Sequence, residues 1–279
     1  MRVVLATELI EKVEKLCIEA NCFLGEDIKK GYRDGLENEE SEIGKEILEQ
    51  LIENAEICTN ELKPICQDTG MAIVFVEIGR NVFIDGNIEE VINEGVRRGY
   101  KNGYLRKSIV KDPISRQNTN DNTPAIIHYS FIDGDKIIIT VAPKGFGSEN
   151  MSGVKMLAPS KGIDGVKEFV VECVKKAGSN PCPPIIVGVG IGGNFEYSAF
   201  LAKKALLREV GNRNKNSYYS DLEKELLELV NKTGIGPQGF GGRVTALDLF
   251  VEVFPTHIAG LPVAVNIGCH VNRHKTIVI

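Results

Sequence analysis

No two of the seven cysteines form a C-x-x-C pair, which removes the zinc-finger and zinc-ribbon classes. An odd count, with no secretory pattern at Met1-Arg2-Val3-Val4-Leu5, argues against a disulfide framework and points to the reducing cytoplasm. No uninterrupted apolar run approaches the roughly 20 residues of a membrane span. Positive charge is not in excess either. The formal net charge is -5, and pairs such as Arg97-Arg98 and Lys203-Lys204 read as solvated helix faces, so nucleic acid is not an expected partner. Tryptophan is missing, and no repeat or low-complexity linker interrupts the chain. With 43% hydrophobic and 25% charged residues, the composition is that of an ordered globular protein, and we expect one domain over residues 1–279.

What is present begins with three cysteines in unusual settings. Cys66 lies in Lys63-Pro64-Ile65-Cys66-Gln67-Asp68-Thr69-Gly70, Cys182 in Asn180-Pro181-Cys182-Pro183-Pro184, and Cys269 in Ile267-Gly268-Cys269-His270. Each sits in a Pro- or Gly-marked break beside an apolar run, the signature of a loop at a strand mouth. Cys17, Cys58 and Cys173 instead fall on amphipathic helical patterns, with Cys22 at the end of the first, and are expected to be buried as small hydrophobes. Two readings of the loop thiols stay open at this level: ordinary structural thiols, or a soft metal centre assembled by the fold.

The pattern predicts a mixed α/β fold, with a helical N-terminal third followed by a mixed sheet with flanking helices. Helical stripes run over Ala6–Ala20 and Ser41–Thr59, with a charged short helix between Gly25 and Glu40. A buried strand is expected at Met71–Ile78 and a helix at about Ile88–Lys101. Ala125–Ile132 and Lys136–Val141 flank Asp133-Gly134-Asp135, which marks a hairpin. A helix at Gly165–Lys176 precedes a strand at Ile185–Val189. Helices at Phe195–Val210 and Asp221–Asn231 follow, the latter with Ser220 and Glu223 as a capping pair. Strands at Ala246–Phe254 and Pro262–Ile267 close the series.

Gly188-Val189-Gly190-Ile191-Gly192-Gly193 formally contains G-x-G-x-x-G between a strand and a helix, so a nicotinamide dinucleotide-binding protein is one hypothesis. The helix is followed by Gly211-Asn212-Arg213-Asn214 rather than by a strand ending in an acidic residue, which weakens it. The same glycines predict a helix N-terminus beside Cys182, suited to an anion or to a cluster's sulfurs. Lys144–Asn150 reads either as a plain loop or as a backbone nest for a carboxylate. Asp68 is a candidate for proton transfer and Gln67 a hydrogen-bond donor; His257 is a candidate acid–base or orienting group.

Taken in order, Cys66-Gln67-Asp68-Thr69-Gly70, Asn118-Thr119 with Asp121-Asn122-Thr123-Pro124, Gly147-Ser148-Glu149-Asn150, Cys182-Pro183-Pro184 with Gly188–Gly193, Gly241-Gly242, Pro255-Thr256-His257 and Gly268-Cys269-His270 form a specific series. From about Leu5 to the last residue, the chain strongly resembles the α subunit, or N-terminal domain, of the iron–sulfur, class I fumarate hydratases and L-tartrate dehydratases. Asn120 stands where the family usually has glycine, and Asn tolerates the left-handed region that a turn needs. Phe146 stands where many relatives have a further glycine, which bears on the pocket wall.

The resemblance implies that Cys66, Cys182 and Cys269 hold a 4Fe–4S cluster through three irons, leaving the fourth iron open to substrate. It also places Gln67, Asp68, Arg106 and His257 around a dicarboxylate, with Gly147 adding backbone N–H contacts. Asp68 and His257 are then the acid–base or orienting candidates, and Arg106 a carboxylate clamp. The resemblance further implies a separate β subunit that completes the site, and an α₂β₂ heterotetramer. The expected activity is hydration of fumarate to L-malate, with L-tartrate dehydration as the alternative and a non-catalytic iron–sulfur scaffold subunit as a reading from another class.

Overall fold

The longest apolar runs become central strands of two sheets, and the amphipathic stripes become the helices that cover them. The computed structural model describes residues 1–279. In chain order the elements of the first half are β1 (Arg2–Leu5), α1 (Ala6–Cys22), α2 (Glu26–Asn38), α3 (Glu42–Glu61), β2 (Met71–Gly79), β3 (Val82–Asp85), α4 (Ile88–Asn102), β4 (Ile126–Ile132) and β5 (Ile137–Lys144). The second half holds α5 (Phe146–Glu149), β6 (Gly153–Leu157), α6 (Gly162–Ala177), β7 (Ile185–Gly193), α7 (Phe195–Ala205), α8 (Ser217–Asn231), β8 (Ala246–Thr256), β9 (Leu261–Gly268) and β10 (Lys275–Val278). The mixed α/β class and the helical first third are as expected. Within this chain there are two compact units. Unit 1 comprises Met1–Leu24, Glu56–Phe146 and Arg273–Ile279; unit 2 comprises Gly25–Ala55 and Gly147–Asn272. Because each unit is built from discontinuous stretches, no linker composition marks them in the sequence.

Unit 1 carries a four-stranded sheet of order β10-β5-β2-β4 and a separate parallel pair, β1 with β3. Leu9, Val13, Leu16 and Cys17 of α1 and Ile92, Val96 and Tyr100 of α4 bury against Val74, Val76, Ile139 and Val141 of the sheet. The two helices approach closely because α4 offers Gly95 and Gly99 at the crossing. A Cβ at either would stand 2.6 Å from the Cβ of Val13 or Cys17. The expected β4–β5 hairpin is not formed. β2 lies between them, parallel to β4 and antiparallel to β5, and the Asp133-Gly134-Asp135 turn wraps the end of β2 through Asn81 N–H to the Gly134 carbonyl. The physical reason is burial: β2 is apolar on both faces and takes the centre, whereas β4 is largely exposed and takes the edge.

Unit 2 carries the sheet β6-β9-β7-β8, with β7 parallel to β8 and antiparallel to β9. Val187 and Val189 of β7 face Phe169 and Val170 of α6 and Leu222 and Leu226 of α8 in one core. Strand alternation turns Gly188 and Gly190 to the other side, where the backbone of α7 lies against them. Two local expectations are corrected here. The glycine-rich run is strand interior through Gly193, not a phosphate-type turn, so the N-terminus of α7 is a strand's length from Cys182 rather than beside it. α8 starts at Ser217 under an Asn216 cap, whose side chain accepts from Tyr218 N–H at 3.0 Å. Glu223 is therefore no cap; it is fully buried and accepts from Arg208, Asn214 N–H and Val251 N–H.

Candidate functional site

The seven thiols sort as their sequence settings suggested. Cys17, Cys22, Cys58 and Cys173 are buried, Cys66 and Cys269 half-buried and Cys182 exposed, and none is in a disulfide. Burial pushes the Cys17 thiol up to about 12 and the Cys173 thiol to about 11, with Glu14 and Glu172 adding to the effect. Those two are protonated, unreactive side chains at neutral pH.

In unit 1, Cys66, Gln67 and Asp68 form the mouth of β2. The Cys66 thiol donates to Gln67 Oε1 at 3.4 Å. Asp68 turns its carboxylate back on the chain: Oδ1 accepts from Gly70 N–H at 3.0 Å and Oδ2 from Phe146 N–H at 2.9 Å. One amide of the Lys144–Asn150 stretch, that of Phe146, thus holds a carboxylate of the protein's own. Arg106 is brought to the same loop, since its carbonyl accepts from Thr69 Oγ1 at 3.2 Å, while its exposed guanidinium makes no ion pair. The polar stretch Arg116–Pro124 fastens the two loops together. Asn122, wholly buried, accepts from Ser108 N–H at 2.7 Å and donates to the Gly70 carbonyl at 3.1 Å. Asn120 takes φ +69°, the left-handed conformation expected of a residue in a glycine position.

In unit 2, Cys182 and Cys269 meet at one end of the sheet, Cys182 before β7 and Cys269 after the antiparallel β9. The Cys182 carbonyl accepts from His270 N–H at 3.2 Å and lies 3.1 Å from His270 Nδ1. Cys182 itself has φ +54°, a left-handed conformation costing a side-chain-bearing residue about 1 kcal/mol or more. Neighbours hold it there: Cys182 N–H bonds the Ser179 carbonyl, and Gln238 donates twice to the Pro183 carbonyl, from N–H and from Nε2, both at 2.8 Å. Tyr32, fully buried on α2, donates to the His270 carbonyl at 2.8 Å and so fixes the Cys269 loop. Gly147 faces the Asn180 carbonyl, to which an added Cβ would stand at 3.4 Å. The following Glu149 pairs with the largely buried Lys203 and accepts from Asn266 Nδ2 at 3.1 Å, tying this stretch to β9. Tyr32, Lys203 and Asn266 were missed from sequence, because each looks like an ordinary helix or strand residue until its long-range partner is known.

His257 is not brought to this end. It follows β8 and precedes β9, so one strand length, roughly 25 Å, separates it from Cys269. It lies exposed beside an open cleft of ≈ 450 Å³ lined by Asn194, Tyr197, Phe254 and Thr256, and its Nδ1 accepts from Ala259 N–H at 3.2 Å.

The donor set suits iron and sulfide. Three loop thiols, one exposed and two half-buried, are soft ligands. No three His, Cys, Asp or Glu side chains stand together as a set for a single ion. In an iron–sulfur cluster each thiolate binds a different iron.

The sequence profile described as fumarate hydratase (Fumerase) matches residues 10–278. The chain belongs to this family. It is a hydro-lyase of a family that depends on iron–sulfur chemistry. A protein of Methanocaldococcus jannaschii provisionally named L(+)-tartrate dehydratase subunit alpha is 44% identical over 273 residues, covering 95% of each chain. The L(+)-tartrate dehydratase subunit alpha of Escherichia coli O157:H7 is 33% identical over 244 residues, covering 86% of this chain and 80% of its own. The Shigella sonnei protein of the same name is similar to the same extent. No helix is long and apolar enough to cross a membrane.

Proposed function

We propose that this chain is the alpha subunit of an L(+)-tartrate dehydratase, a hydro-lyase that removes water from a hydroxylated dicarboxylate. The observation that carries this reading is the 44% identity over nearly the whole of both chains to a protein provisionally named for that activity. It displaces the expectation of fumarate as first substrate, which keeps support from the family description alone. Cys66, Cys182 and Cys269 would be the cluster ligands. When bound, a 4Fe–4S cluster with an open iron supplies a Lewis acid to substrate hydroxyl and carboxylate oxygens.

The chain's own groups would bind and orient. The unpaired Arg106 guanidinium is suited to a carboxylate, which it can grip through two parallel N–H bonds. Gln67 would donate its amide to a substrate oxygen. Asp68, aimed by two backbone amides, would hold or accept a proton at its carboxylate. Gly147 would offer its N–H beside the Cys182 loop. A separate beta subunit would supply the remaining groups, as the subunit names of the relatives imply.

The test is anaerobic reconstitution with iron and sulfide together with the cognate beta chain, followed by rates on L(+)-tartrate, L-malate and fumarate. A kcat/KM for L(+)-tartrate at least tenfold above that for L-malate, lost in Cys182→Ala, supports the reading. The reverse ratio would assign the chain to fumarate hydration. Iron uptake without turnover of any of the three would leave a scaffold subunit.

A further inference from the structure

Near its end the chain buries a charge that no hydrophobic or helical pattern announces. Arg273 lies in the polar run His270-Val271-Asn272-Arg273-His274-Lys275, yet it is only 5% exposed. Of its guanidinium nitrogens, Nη2 donates to the Asp68 carbonyl, while Nε and Nη1 are buried with no partner. No carboxylate pairs with it. Its charge acts on Tyr100 and on Cys22, and the Asn21 side chain reaches the same Tyr100 phenol. Asn21 Oδ1 is also buried without a partner.

These groups share one task. The Asn21 carbonyl accepts from Ile65 N–H at 2.9 Å, Arg273 holds the Asp68 carbonyl, and Tyr100 OH donates to the Thr69 and Gly70 carbonyls at 2.8 and 3.0 Å. The segment from Ile65 to Gly70 is thus gripped from behind at four of its peptide groups. For stability alone, an uncompensated buried guanidinium is a poor choice against an apolar side chain of similar volume. We propose that Arg273 is a positioning residue, which clamps the Asp68 carbonyl so that Gln67 and Asp68 are presented in one fixed arrangement. This rests on the reading of that loop as substrate-facing.

Arg273→Met and Arg273→Lys test it. In the metal-free chain, amide hydrogen exchange at Ile65 and Gly70 is expected to quicken about tenfold or more in Arg273→Met, with β2 and β5 amides unchanged. Arg273→Lys restores protection in part. In the reconstituted complex with its beta chain, Arg273→Met keeps its iron but loses about tenfold or more in kcat, and Arg273→Lys recovers part of that. Unchanged protection at Gly70 overturns the proposal, as does a uniform loss across β2 and β5, which would show a role in the fold only. Localised loss of protection in Arg273→Met, alongside a reconstituted wild-type complex that turns over no dicarboxylate, would sink the substrate reading and leave the clamp standing.

Discussion

The glycines of β7 offer a direct contest between packing and ligand binding. In Gly190→Ala the new Cβ would stand 2.1 Å from the Ser198 carbonyl oxygen, 2.7 Å from Ala202 N and 2.8 Å from the Leu201 Cβ. Ordinary non-bonded contact begins at about 3.5 Å, so the overlap reaches about 1.4 Å at the carbonyl oxygen, and most of it falls on the backbone of α7 rather than on a side chain that can swing away. Relief requires α7 to lift off the strand, loosening Leu201, Ala202 and Ala205, all buried. Overpacking of this kind costs about 1–3 kcal/mol, and a rigid obstacle puts this case at the top of that range. Replacing glycine returns about 0.5 kcal/mol through the unfolded chain, too little to offset it. Urea denaturation of the metal-free chain should therefore show a loss of about 3 kcal/mol for Gly190→Ala. Gly260→Ala, where the nearest heavy atom would be 3.9 Å from the new Cβ, should stay within about 0.5 kcal/mol of wild type. If Gly190→Ala unfolds at the wild-type midpoint while the wild-type chain quenches NADH fluorescence at micromolar concentration, the packing argument fails and the dinucleotide reading returns.

Three further outcomes follow from other parts of the chain. Iodoacetamide at pH 7.5, followed by mass spectrometry of the metal-free protein, should label Cys66, Cys182 and Cys269 well before Cys17 and Cys173; early labelling of Cys17 would contradict its burial and its thiol near 12. Burial alone would raise the Asp121 carboxyl, but Thr123 N–H, the Thr123 hydroxyl and Arg97 outweigh it and hold the group at about 2. A depressed carboxyl stabilises the fold above its unfolded value near 4, and that stability drains away as pH falls toward 2. Asp121→Asn should thus lower the melting temperature at pH 7 and flatten its slope between about pH 4 and 2; an unchanged slope would assign the acid transition elsewhere. Burial lowers the Lys203 ammonium and Glu149 opposes it, so Lys203→Met alone takes the paired cation from a half-buried carboxylate and should cost about 2 kcal/mol. The double variant Lys203→Met with Glu149→Gln should cost less than the two single changes summed, and strict additivity would show the pair uncoupled.

How far the sequence could be read depended on how local each determinant is. α1, α4 and α6 announce themselves because their apolar stripes repeat within a few turns, and β2 because its whole run is apolar. The β4–β5 hairpin misled because Asp133-Gly134-Asp135 is a true turn, while the choice of neighbour was made by β2, more than fifty residues upstream. The loop cysteines were legible for a related reason: Pro and Gly around Cys66, Cys182 and Cys269 forbid the helical burial that claims Cys17 and Cys173. What encloses those loops was not legible. Tyr32 reaches His270 across more than two hundred residues, Arg273 reaches Asp68 across a similar span, and Glu223 looks like a helix cap until Arg208 and Val251 are seen around it. His257 shows the same limit from the other side. It is close to Cys269 in sequence, but β9 intervenes and carries the chain from one end of the sheet to the other. A motif therefore fixes which residue types chemistry needs. Strand direction and the buried polar groups behind each loop decide which of those residues can act together, and both are set by contacts too distant in the chain for any local pattern to encode.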